Sequence, residues 1–361
     1  MQQIQTLQEF LAASGAQYRF FDLGRRVLKM DKSLFEKIET TQVPYPYPLQ
    51  RHAWFGVLFW DPKNTQQHHI WFLKFPLDEQ GYLSLAARDD FLRRALEQLG
   101  DAIIDNRQED QDHQEGSEQT AHAQKSRELK DNPWSYTPRQ DKMATFHAKA
   151  LVELKQPASQ YLTSVLTYLN QPEQFSQWQH IGLQGIADLC ARCDEPSING
   201  PLIKRLSLLP SEVKIPLLHG LENENINHAL SQVVMSCAKP DAEDNATLAA
   251  AIRALSGSVD KQTQKQCIID ILTTYKTSPV SIEILVAISG RAWSSLTDES
   301  VALLFLEALA TNDAGQEAFN QVLTDVLFMP TIGQCVRQAF RSPKRSEALA
   351  SAIGSFLSTV H

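Results

Sequence analysis

The sequence predicts an α+β N-terminal domain, a small antiparallel sheet with helices, followed by an all-α helical-repeat domain of the HEAT-like solenoid type. Three observations predict it. Two aromatic-rich apolar runs, 53–60 and 69–75, flank the turn residues Asp61, Pro62, Lys63 and Asn64 and read as a β-hairpin. From about residue 132 onward, apolar helical segments follow one another about every 16–25 residues without a strand signal between them. Between these regions, residues 105–131 hold eight acids and four bases and no large apolar side chain except Leu129. Such a stretch buries too little surface to offset the entropy of ordering, so it reads as an acidic disordered linker. The expected organisation is therefore 1–104, a small α+β domain; 105–131, linker; and 132–361, helical repeats.

Each element has a local reason. Ile4, Leu7, Phe10 and Leu11 recur at helical spacing and stop at Gly15, a residue suited to closing a helix. Residues 18–21 then turn to extended chemistry, and Asp31 reads as the N-cap of a second helix. Pro44, Pro46 and Pro48 favour a polyproline-like path into the hairpin. Ser84 caps a helix with Phe91, Leu92, Ala95 and Leu99 on one face and Gly100 just past its end. Beyond the linker, Thr137 and Pro138 open the first helix, and Pro157, Pro172, Pro201, Pro210, Pro240, Pro279, Pro330 and Pro343 mark further starts. Paired, the helices form units of about 35–45 residues, the HEAT-like size range, although no internal consensus recurs cleanly. An irregular helical bundle is the alternative.

Composition limits the function classes. A 361-residue chain with 43% hydrophobic and 21% charged residues is ordinary for a folded soluble protein, and five scattered cysteines make no disulfide framework. The first residues carry neither a basic cluster nor an apolar run, so no signal peptide or membrane span is expected, and the predicted compartment is a reducing cytoplasm. The net charge of −8 disfavours nucleic acid, whose phosphates call for a basic stripe.

The motifs are few. Cys190 and Cys193 have C-x-x-C spacing, but they lie in a helical pattern and no second ligand pair accompanies them, which favours structural cysteines. His68 and His69 are adjacent on a strand and point to opposite faces. The zinc-protease, nucleophile-elbow, dinucleotide and P-loop spacings are all missing, so no catalytic residue, cofactor or metal is assigned. In QGIADLCAR, 184–192, Asp188 and Arg192 stand i, i+4 and predict a helix-surface ion pair beside Gly185. That glycine serves either close helix packing or the floor of a groove. In SGRAW, 289–293, Arg291 and Trp293 are residue types that dominate binding hot spots, while capping by Arg291 and core packing by Trp293 fit equally. Glu222, with Asn223, is a weaker candidate that reads as a helix terminus.

FDLGRRV at 21–27, QGIADLCAR, LEN at 221–223 and SGRAW together resemble an uncharacterised bacterial family, domain-of-unknown-function family 3549, over nearly the whole chain outside the linker. The resemblance implies no substrate, cofactor or catalytic residue. The leading expectation is a non-enzymatic scaffold or adaptor holding a protein partner on its helical surface. The alternative is an RNA- or ribosome-associated factor that stacks bases on exposed aromatics of the hairpin.

Overall fold

A computed structural model describes residues 4–105, 132–238, 244–274 and 279–359, with side chains left out over 98–105. The expected linker, but for Asp105, falls outside the described residues, as does Pro240. The chain divides into two compact units, Met1–Arg139 and Gln140–His361.

The first unit holds α1 (Leu7–Ala13), β1 (Gln17–Asp22), β2 (Leu28–Met30), α2 (Lys32–Glu39), β3 (His52–Asp61), β4 (Asn64–Pro76) and α3 (Leu85–Asp105). Its antiparallel sheet has the order β2-β1-β3-β4. A capping box starts α1, with Thr6 accepting from the Glu9 amide and Glu9 reaching back to Thr6. Gly15, at φ +75°, turns the chain out of it. Asp31 occupies the N-cap of α2 without a side-chain hydrogen bond to it. Contrary to expectation α3 does not stop at Gly100; an internal glycine costs only about 1 kcal/mol, and the following residues sustain the helix to Asp105.

The pleat places Phe20, Phe55, Val57, Leu73 and Phe75 on one face, all buried. Phe35 of α2 stacks on Phe20 at 3.5 Å, and Phe91 of α3 meets Phe75 edge-on at 6.0 Å. Each such ring contributes roughly 1.5–3 kcal/mol by leaving water. The FDLGRRV segment, buried throughout, ends β1 and forms the turn into β2. The Asp22 carboxylate accepts from the Gly24 and Arg26 amides at 3.0 and 3.2 Å and from the Tyr45 hydroxyl at 2.5 Å, while Arg25 Nε donates to the Pro48 carbonyl at 2.8 Å. The proline-rich path is thereby fastened to the sheet.

The first unit runs on to Arg139 and takes in residues 132–139. Ser135 bridges Leu73, the Lys74 amide donates to the Trp134 carbonyl at 2.8 Å, and Trp134 Nε1 donates to Asp90 at 3.0 Å. The backbone bonds pair residues 72–74 on the outer edge of β4, and the indole bond fastens the segment to α3, so residues 132–136 serve the sheet.

The second unit is helical: α4 (Gln140–Glu153), α5 (Tyr161–Asn170), α6 (Leu183–Ala191), α7 (Pro196–Arg205), α8 (Ser211–Leu221), α9 (His228–Cys237), α10 (Asn245–Leu255), α11 (Lys261–Thr274), α12 (Ile282–Gly290), α13 (Glu299–Ala310), α14 (Gly315–Phe328), α15 (Gly333–Ala339) and α16 (Glu347–Thr359). Contacts run in series from α4 to α6, α8, α10 and α12, while α5, α7 and α9 make a second series. Pro201 lies inside α7 rather than at its start, where Pro196 occupies the first turn. Gly185 settles the choice left open by its sequence. A Cβ there would stand 2.6 Å from the Tyr161 carbonyl oxygen and 2.7 Å from Val165, so the glycine lets α6 press against α5.

Candidate functional site

Four charged residues of the second unit stand at the C-terminal ends of its helices. Arg192 is the C-cap of α6, Glu222 that of α8 and Arg291 that of α12, while Arg253 stands in the last turn of α10. Bonds bring three of these ends together, those of α8, α10 and α12. Arg253 grips the Glu222 carboxylate side-on, Nε at 2.6 Å and Nη2 at 3.0 Å, and Arg291 Nε donates to the same carboxylate at 3.0 Å. Arg291 Nη1 also donates to the Gly290 carbonyl at 2.9 Å.

Glu222 is 4% exposed. Burial alone would push its carboxyl up, but the guanidiniums of Arg291 and Arg253 outweigh that and hold it down at about 2. His219, one turn earlier, is lowered to about 4 by burial and then by the charge of Arg253, against opposing pulls from Glu222 and Asp141, so its ring is neutral at pH 7. Asn223 Nδ2 donates to the carbonyls of His219 and Gly220, closing the α8 terminus. Lys149, inside α4, pairs with Glu224 at 2.6 Å and ties that helix to the segment after α8.

Asp188 and Arg192 pair at 3.6 Å, as their spacing predicts, but the pair is interior, with Asp188 fully buried. The reason is position: α6 is flanked by α4 and α8 and backed by α5. Asp188 Oδ2 accepts from the Ser159 amide and hydroxyl at 3.2 and 2.5 Å, and Arg192 Nη2 donates to the Gln156 carbonyl at 3.3 Å. The two side chains fasten the connection between α4 and α5. Trp293 is buried at the start of a 3-10 turn that packs on α11, α12, α13 and α15. Of the residues singled out from sequence, the structure thus joins Glu222 to Arg291, pairs Asp188 with Arg192, and places Trp293 in the core.

The chain belongs to the DUF3549 family. The family is described as a protein of unknown function, and the match covers residues 2–357. No curated protein and no solved structure matches the chain.

For this DUF3549 chain, sequence reasoning missed Arg253, Lys149 and His219. Arg253 had a signal, being the lone charged residue of an otherwise apolar and alanine-rich helix, NATLAAAIRAL. A charge in such a setting calls for a partner. In the first unit, none of the hairpin rings Trp54, Phe55, Phe59, Trp60, Trp71, Phe72 and Phe75 is exposed. Trp54 packs edge-on against Tyr136 at 4.8 Å and lies under the Lys74 ammonium at 4.3 Å. Among the described residues, no helix is long and apolar enough to cross a membrane.

Proposed function

We propose that this chain is a non-enzymatic scaffold in which the helical unit is a HEAT-like stack that engages a protein partner along the edge where its helices end. The serial packing of α4, α6, α8, α10 and α12 carries the reading, because a stack of that order repeats the same helix terminus at each step. The faces of the central helices are already occupied. Residues 185–190 of α6 are buried without exception, and in α10 every residue from 247 to 255 is buried save Arg253. A partner therefore meets turns and last-turn side chains, chiefly Arg253 and Arg291, whose side chains keep 24% and 19% of their exposure. Half-buried arginines of this kind combine a large apolar contact with a fixed set of donors.

The test is capture of partners from native lysate by the full chain, followed by lysine cross-linking and mass spectrometry. Lys155 and Lys261 are exposed beside the edge. Cross-links from these two to one stoichiometric partner are the expected result. No partner, or one whose cross-links fall only on residues before Arg139, overturns the proposal.

A further inference from the structure

The Glu222 cluster is asymmetric in charge: two guanidiniums share one carboxylate, leaving a net positive charge in a chain that is negative as a whole. It is also asymmetric in hydrogen bonding. Arg253 commits Nε and Nη2 to Glu222, and Arg291 commits Nε to Glu222 and Nη1 to Gly290, so that Arg253 Nη1 and Arg291 Nη2 donate to no group among the described residues. Both side chains are partly open to solvent. A guanidinium anchored on one edge by a buried carboxylate has lost most of its rotamer freedom, so a ligand on the other edge binds without that entropic cost. Glu222, and for Arg291 also the Gly290 carbonyl, thus restrain both guanidiniums while each keeps one uncommitted Nη.

We propose that Arg253 Nη1 and Arg291 Nη2, held in place by Glu222, form a receptor for one carboxylate of a partner polypeptide. The assignment rests on the reading of the helical unit as a binding platform and names the chemistry that platform recognises. Two N–H donors from separate guanidiniums suit the two oxygens of a planar carboxylate. The remaining positive charge is matched by a single negative one, and neutral His219 beside the cluster adds no competing cation at pH 7. Arg192, by contrast, is 8% exposed in its side chain and directs its guanidinium to Asp188 and Gln156. It offers no comparable edge.

The test uses the intact chain labelled with 15N-arginine, titrated with acetate, with inorganic phosphate, and with chloride at matched ionic strength. Acetate is expected to shift the Arg253 and Arg291 Nε–H resonances saturably, with millimolar half-saturation, while chloride leaves them in place. In Arg253→Lys/Arg291→Lys, which keeps the charges and loses the forks, acetate affinity read by tryptophan fluorescence or calorimetry is expected to fall about tenfold or more. A shift shared equally by chloride, no saturable shift, saturation by phosphate alone, or undiminished binding in the double lysine variant each overturns the assignment. A partner that still cross-links at Lys155 and Lys261 in that event leaves the scaffold reading intact, so the two failures are distinguishable.

Discussion

Replacing Glu222 by Gln keeps the size of the side chain and one carbonyl acceptor but leaves the guanidiniums of Arg253 and Arg291 facing each other without a counter-charge. The carboxyl moves from an ordinary 4.5 to about 2 on folding. At about 1.4 kcal/mol per unit, its ionised form contributes about 3 kcal/mol at pH 7, in line with the ~3–5 kcal/mol lost when one partner of a buried ion pair is removed. Because the folded value is depressed, this contribution is complete above the unfolded value of 4.5 and is lost as pH falls through about 2. Urea unfolding of wild type and Glu222→Gln, followed by far-UV circular dichroism at pH 7 and again near pH 3, should show a gap of about 3 kcal/mol that shrinks to roughly 1 kcal/mol in acid. Thermal melts at pH 7 should separate by roughly 6–12 °C for a unit of this size. A gap within about 0.5 kcal/mol at pH 7, the scale of an ordinary surface substitution, would refute the reasoning.

Further predictions concern other buried groups. Glu39 caps the α1 amides of Leu7 and Gln8 and has its carboxyl pushed up to about 7 by burial, which outweighs the hydrogen bond from Leu7. The folded chain then holds a proton that the unfolded chain releases near 4.5, so stability should fall by about 3 kcal/mol as pH rises from 4.5 through 7, and Glu39→Gln should flatten that slope in melts recorded from pH 5 to 8. Gly185→Ala should lower stability by about 1–3 kcal/mol, since the new methyl overlaps the Tyr161 carbonyl, whereas Gly354→Ala in α16, with open space around it, should gain about 1 kcal/mol in the same denaturation assay. Burial raises the thiols of Cys193 and Cys267 to about 12 and 11, and that of Cys190 well above its usual range. Alkylation of the native chain at pH 8, mapped by peptide mass spectrometry, should therefore reach half-buried Cys335 and Cys237 first; early modification of Cys190 would contradict the packing around α6.

Local periodicity made much of the fold legible. The hairpin was visible because aromatic strands and a polar turn are both short-range signals, and β3 and β4 extend the predicted runs by a few residues at their ends. The strand β2 was not, since three residues between the Arg25–Arg26 turn and Asp31 carry no measurable alternation and owe their conformation to pairing with β1. The same holds for residues 132–136, which look like the approach to a helix until Trp134 and Tyr136 are seen bonded to β4. For the candidate site, spacing alone predicted the Asp188–Arg192 pair, because i, i+4 geometry is local. It could not predict Glu222 with Arg253 and Arg291, whose separations of 31 and 69 residues are closed only by stacking. Nor could it tell that Asp188 is interior, which depends on three neighbouring helices.

The helix dipole sharpens what kind of device the Glu222 cluster is. Cations at helix C-termini are favoured by about 0.3–1 kcal/mol, and Arg192, Arg253 and Arg291 all obey that preference. Glu222, an anion at the end of α8, violates it, yet the penalty is small beside the ~3 kcal/mol its partners contribute. The anion is therefore set by the two arginines and not by its own helix. A charge swap, Glu222→Arg with Arg253→Glu, separates a pair from a triad. If only the contact with Arg253 mattered, the swap would restore it with reversed sign. In a triad the arginine introduced at position 222 faces Arg291 across the place where the carboxylate had joined them, and the displaced carboxylate at position 253 can neutralise only one of the two. The swapped chain should be no more stable than Glu222→Gln in urea at pH 7, and adding Arg291→Gln to it should recover stability by removing the repulsion. Recovery to wild-type stability by the swap alone would show that Arg291 is a bystander, and would remove one of the two donors on which carboxylate recognition depends.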